Sequence, residues 1–280
     1  MANRADPGTM NDADYKFTLN CLYETWRSIQ SLGEALNEAQ FKTQTACPGW
    51  SVQDNISHLI GTERVLGGLG DTQHRATNLE HVKNAIGEMN EHQVDSRRRL
   101  SGAEVMKEFA EMTRIRREFF ERAPESFFTD ESMTPIGRAP MASFLSIRAM
   151  DCWVHEQDVR RALGLPGNQD SASAELSVDR LCRTLPMVVG KRAKAPEGST
   201  SVVRITGPVN RSIAITVKDG RAAVVENFDS TPIVELSFDS NTFIELATGR
   251  ATGEDLREKI KINGDAELGM KIADSLNVMI

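Results

Sequence analysis

The chain is short of aromatic residues, of cysteine, of basic charge and of long apolar runs. Aromatics make up 6% of its 280 residues, with 3 Trp and 2 Tyr, so each tryptophan has to be placed individually. The 4 cysteines, at positions 21, 47, 152 and 182, form no CxxC pair, which excludes a disulfide framework and a paired-cysteine zinc site. The opening MANRADPGTM has no apolar signal core, and together with the cysteine usage it predicts the reducing cytoplasm. No apolar run approaches the roughly 18 residues of a membrane span. Lys and Arg number 33 against 40 Asp and Glu, a formal charge of −7, which excludes the basic face that nucleic acid or an anionic membrane calls for. Small molecules are the expected partners, with the chain a monomer or weak homodimer.

Against these deficits, 40% apolar and 26% charged residues are the ordinary balance of a globular protein, and the length suits two domains. In the first part, apolar residues at helical spacing predict long helices over residues 11–40, 52–66, 91–122 and 141–163. Cys47-Pro48-Gly49 breaks the chain, and Ser51 then supplies an N-cap. Residues 71–90 read as a polar loop with room for one helical turn, and Pro124, Pro135, Gly137 and Pro140 as an irregular connection. Four amphipathic helices predict a bundle, in which metal sites are built from inward side chains.

The texture changes after Gly164-Leu165-Pro166-Gly167. A helix over 172–189 leads to strands over 201–206, 212–217, 222–227 and 233–238, with Lys218-Asp219-Gly220 as a hairpin signal and a further short strand at 260–262. Helices follow over 240–248 and 265–278. The prediction is α+β in two domains, a bundle over 1–167 and an α+β domain over 168–280.

The chemistry concentrates in MDCWVHEQD, Met150 to Asp158. Asp151 and His155 stand four apart and Asp158 three further on, so a helix stacks all three on one stripe. With His58 from the helix after Ser51, two imidazoles and a carboxylate suit zinc or another divalent ion and leave a position open. The alternative is that His58 is a satisfied core histidine and that Asp151 and Asp158 pair with arginines. Asp158 is also placed to orient His155 or to meet Arg161. Cys47 and Cys152 read as inert buried thiols, Trp50 and Trp153 as core, Arg97-Arg98-Arg99 as a solvated helix face, and His74, His81 and His92 as loop histidines.

CPGWSVQDNISHLIG followed far downstream by DCWVHEQDVRRALGLPG resembles the mycothiol-dependent maleylpyruvate isomerase family of actinobacteria. The resemblance implies a DinB-like four-helix bundle whose divalent ion, usually zinc, is held by His58, Asp151 and His155. Asp151 stands where the better-known pattern has Glu, shortening the arm by one methylene. FIELATGRATGEDLREKIKINGDAELGMKIADSL is similar to the end of sterol-carrier-like domains. The resemblance also implies that an arginine of this second domain, here Arg250, helps bind an acidic substrate at the interdomain cleft; a helix-end role is the alternative. The function implied is activation of mycothiol by the metal for attack on an electrophile, with isomerisation or S-transfer as the result. A lipid or small-ligand carrier with a non-catalytic bundle is the competing expectation.

Overall fold

The computed structural model describes residues 14–228 and 231–279. These fall into two compact units that part between Asn168 and Gln169, the first helical and the second mixed.

The first unit is a four-helix bundle of α1 (Tyr15–Glu34), α3 (Val52–Leu66), α5 (Gly102–Arg122) and α7 (Met141–Leu163), in which α1 packs on α5 and α7, and α3 does likewise. Each helix owes its start to local chemistry. Asp14 accepts from Phe17 N at the head of α1, and Ser51 with Asp54 and Ser101 with Glu104 form capping boxes at the heads of α3 and α5. Leu22, Trp26 and Ile29 of α1, Ile56 and Leu59 of α3, Phe109 and Met112 of α5, and Leu145 and Ala149 of α7 fill the buried seam.

Four local expectations are corrected here. The first helix stops at Glu34, because Asn37 and Gln40 form their own capping box for the single turn α2 (Glu38–Phe41). The helix expected over 91–122 is two: α4 (Ala85–Asp95), capped by Asn84 inside the expected loop, and α5, restarted by Ser101. The connection before α7 is ordered, with α6 (Glu125–Thr129) followed by an antiparallel hairpin, β1 (Glu131–Thr134) and β2 (Gly137–Pro140). The helix expected over 172–189 ends as α8 (Ala172–Cys182); a π turn at Met187–Arg192 follows Pro186, which lacks the N–H that would continue an α-helix.

The second unit carries one five-stranded sheet of β3 (Thr200–Thr206), β4 (Arg211–Lys218), β5 (Arg221–Val225), β6 (Val234–Asp239) and β7 (Lys261–Gly264). Its order is β5-β4-β3-β6-β7, antiparallel throughout except that β3 and β6 run parallel. Asp219 and Gly220, both at positive φ, turn the β4–β5 hairpin. On the sheet pack α9 (Ser240–Ala247) and α10 (Ala266–Asp274), and Phe238 of β6 stacks on Phe243 of α9 with centroids 5.8 Å apart. Among the described residues no helix is long and apolar enough to cross a membrane.

Gly264 closes β7 at φ +88, and a Cβ there would press on the Ile233 carbonyl oxygen, which also accepts from Asp265 N at 2.9 Å. Gly264→Ala should therefore combine the roughly 1–2 kcal/mol of a left-handed L-residue with an overpacking cost of about 1–3 kcal/mol. Gly220→Ala, whose Cβ meets open space, should show only the first. Denaturant unfolding of the C-terminal domain checks this, and equal losses for the two variants would refute it.

Candidate metal centre

The bundle brings His58 of α3 together with Asp151 and His155 of α7, their donor atoms all within 4.8 Å of one another. His58 Nε2 stands 3.4 Å from Asp151 Oδ2, and His155 Nε2 stands 3.7 Å from Asp151 Oδ1. The two rings meet edge to face at 4.8 Å. Zinc–nitrogen bonds near 2.0–2.1 Å give a tetrahedral ligand edge of about 3.3–3.4 Å, so the carboxylate already stands near ligand distance from both imidazoles. The donor set fits a divalent ion with a position left open.

His155 is oriented for this role. Its Nδ1 lies 2.7 Å from Asn55 Oδ1, while Asn55 Nδ2 donates to the Ser51 carbonyl at 2.9 Å and to Thr45 Oγ1 at 3.0 Å. Those acceptors fix the amide with its oxygen toward the ring, so Nδ1 carries a proton and Nε2 is the nitrogen that faces Asp151. Cys47 Sγ donates to Asp158 Oδ2 at 3.2 Å, and that oxygen lies 3.4 Å from His155 Nδ1. Asp158 also accepts from Arg161 Nη1 at 3.1 Å, so both roles foreseen for it are filled. Cys47, His155 and Asp158 are close enough to form a second donor group, but its imidazole nitrogen is the one engaged by Asn55.

Asp151 is anchored from behind. Arg148, one turn earlier on α7, donates to Asp151 Oδ2 and through Nε and Nη2 to Glu63 Oε1, at 3.1 and 3.0 Å. Arg116 of α5 donates to the other Glu63 oxygen at 3.0 Å. Glu63, Arg116 and Arg148 are all buried, so two guanidiniums and two carboxylates balance inside the bundle. Burial alone would raise the Asp151 carboxyl; the Arg148 guanidinium and the two imidazoles outweigh it and hold it well below the usual carboxylate range. Burial lowers His58 and favours its neutral form. His155 goes the other way: burial opposes its charge, but Asp158, Cys47 and Asp151 together raise it to about 10. The centre thus favours positive charge at His155, a place that a divalent cation can take over from a proton.

Trp50 is half-buried rather than core, with its ring 5.1 Å from His58 and 5.9 Å from His155. Trp153 is buried as expected. Arg97 and Arg98 are not a solvated face: Arg97 is buried in a fork on Glu108, and Arg98 meets Asp54, Glu91 and Asp95. His74 pairs with Asp95 and His81 with Glu91, while His92 accepts from Ala76 N. Burial pushes the Cys152 thiol up to about 12, as befits an inert cysteine. Arg250 lies in the second unit, just past α9, donates to the Thr248 carbonyl at 2.8 Å, and lines a pocket with Thr252, Asp255, Asp274 and Asn277. Sequence reasoning missed Asn55, Glu63, Arg116 and Arg148. Arg148 sits three residues before Asp151 on the same helix, and that spacing is the signal that could have found it, whereas Asn55 meets His155 of another helix and carries no local signal.

Residues 22–160 match the family model for the mycothiol maleylpyruvate isomerase N-terminal domain, and residues 178–277 that of the SCP-2 sterol transfer family. A crystal structure of the mycothiol-dependent maleylpyruvate isomerase aligns with 94% of this chain and 98% of its own at 13% identity and a TM-score of 0.57. A histidine-to-alanine mutant of that enzyme aligns over the same shares at 14% identity and a TM-score of 0.56. At this identity the likeness is one of fold. No curated protein sequence matches the chain.

Glu63→Gln should leave two buried guanidiniums facing a single carboxylate, a loss of about 3–5 kcal/mol. Arg117→Gln, which breaks the exposed pair with Glu121, should change stability little. Chemical denaturation of the two variants measures the difference; a Glu63→Gln protein as stable as the parent would show that this cluster does not hold the bundle.

Proposed function

We propose that this chain, whose residues 22–160 match the mycothiol maleylpyruvate isomerase N-terminal domain and whose residues 178–277 match the SCP-2 sterol transfer family, is a metal-dependent enzyme that activates a low-molecular-weight thiol, mycothiol, for attack on an acidic electrophile. The observation that carries the reading is the convergence of two imidazole Nε2 atoms and one anchored carboxylate in a buried setting. His58, Asp151 and His155 are the proposed ligands. They would hold a divalent ion, zinc first, which when bound would supply a Lewis-acidic position that lowers the pKa of a thiol.

The chain's own groups prepare that position. Asn55 holds the His155 tautomer, Arg148 fixes one oxygen of Asp151, and burial keeps His58 neutral. The thiolate sulfur forms a bond to an unsaturated carbon of the substrate, the former double bond rotates as a single bond, and expulsion of the sulfur restores the double bond in the other geometry. Nothing is oxidised or reduced, and the thiol is regenerated. Where the substrate carries a leaving group, the same attack gives S-transfer. Arg250 is proposed to bind the substrate's carboxylate, since a guanidinium fork matches that group.

Purified protein should carry one divalent ion per chain, and His58→Ala or His155→Ala should lose it while helical content is kept, because the bundle rests on its apolar seam. A His155→Ala protein with full metal content would remove this ligand set, and a parent protein without stoichiometric metal would favour the small-ligand carrier.

Arg250→Ala should raise KM or lower turnover for an acidic substrate with metal content unchanged, and Arg250→Lys should recover part of the loss. Unaltered steady-state kinetics in the alanine variant would assign Arg250 to a structural role that includes its contact with the Thr248 carbonyl.

A further inference from the structure

The half-buried indole beside the two histidines is held more firmly than packing requires. Trp26 and Trp153 are 4% and 2% exposed, whereas Trp50 keeps part of its ring in the open. Its Nε1 donates at 2.8 Å to Oε2 of Glu91, a residue of α4 that is fully buried. The same oxygen lies 2.9 Å from His81 Nε2, and the other oxygen accepts from Arg98 Nη1 at 2.5 Å. Arg98 reaches on to the Gly49 carbonyl at 3.2 Å and to Asp54 Oδ1 at 3.2 Å, so the turn carrying the indole is fixed through its backbone as well. Trp50 N and Cys47 O close that turn at 3.0 Å, and Thr45 N donates to Trp50 O at 3.0 Å.

A fully desolvated carboxylate is costly to keep, and Glu91 is held by three donors, from Trp50, His81 and Arg98, each itself only partly buried. A core tryptophan needs no charged anchor: Trp153 Nε1 donates to the neutral Asn168 carbonyl at 2.8 Å. A ring whose outer part must present a fixed surface beside a reaction centre does, because ordering it beforehand lowers the cost of binding. The indole flanks both His58 and His155 and so borders the space beside the two imidazoles. Indole offers a broad apolar face with no acceptor, suited to the C–H face of a saturated ring.

Resting on the thiol reading above, we propose that Trp50 is the specificity-determining wall of the thiol site, packing the sugar portion of a glycosidic thiol, and that Glu91 is the positioning residue that holds it. Discrimination between thiols then comes from the indole, while sulfur binding comes from the histidines and Asp151.

The test uses full-length protein loaded with cobalt and follows the near-ultraviolet cobalt–thiolate band during titration with mycothiol and, separately, with 2-mercaptoethanol, which has the thiol and no sugar. In the parent, mycothiol should half-saturate the band at lower concentration. Trp50→Leu should weaken mycothiol about threefold to tenfold, the range aromatic packing carries, and leave 2-mercaptoethanol within about twofold. Trp50→Phe, which keeps a ring in the same place, should fall between parent and leucine variant, and it decides the matter if the leucine variant does not fold. Glu91→Gln should narrow the preference in the same direction with the cobalt stoichiometry unchanged. Equal weakening of both thiols in the Trp50 variants, or an unchanged ratio, overturns the role given to Trp50. Absence of any thiolate band in the parent overturns the metal–thiol reading itself, which separates the two failures.

Discussion

Arg148 is the residue through which the helical domain and its candidate centre become one arrangement. Its guanidinium is buried and meets Glu63 of α3 on one side and Asp151 of its own helix on the other, while Arg116 of α5 takes the second Glu63 oxygen. A buried ion cluster of this kind adds little net stability over an apolar replacement, but breaking it is expensive, which makes it a device of specification. It sets the register of α3, α5 and α7 at the depth where the ligands stand. It also orients Asp151, whose carboxylate is held by a cation behind it and by the two rings in front.

The imidazoles are organised by different means. His155 is defined by hydrogen bonds, since Asn55 fixes its proton on Nδ1 and Asp158 with Cys47 backs the same edge. His58 has no hydrogen-bond partner at Nδ1 among the described residues, and its ring is set by Trp50 and by the carboxylate. That asymmetry matches the opposite directions of their pKa shifts. It also gives Trp50 a structural role toward one ligand in addition to any role toward a ligand from solution.

Charges that look like surface in the sequence are interior machinery in this fold. Glu91, Arg97, Arg116 and Arg148 are buried, each matched by an opposite charge at hydrogen-bond distance. The short helix α4 contributes many of these contacts, taking His74, His81 and Arg98 onto Asp95 and Glu91. The loop histidines thereby tie residues 71–84 back onto the bundle. In the C-terminal domain the polar traffic is sparser, and the sheet is held by the apolar faces of β3 and β6 against α9 and α10.

Fold class, the long helices and the strands were legible in the amino-acid pattern, because they follow from periodicity, capping residues and turn signals that act within a few turns of chain, while the ligand set drew on the family resemblance as well. α7 was legible to the residue, running from Met141 to its stop at Gly164, and so was the stripe of Asp151, His155 and Asp158 upon it. Breaks inside long periodic stretches were less legible, since Ser101 and Pro186 interrupt patterns whose apolar spacing continues across them. It is helix packing that brings Asn55 to His155 across 100 positions and Glu63 to Arg148 across 85, and that leaves Trp50 outside the core to flank the histidines. Those contacts join groups on different helices, and their partners are chosen by helix packing and by the cost of leaving a buried charge unmatched, which no local pattern encodes.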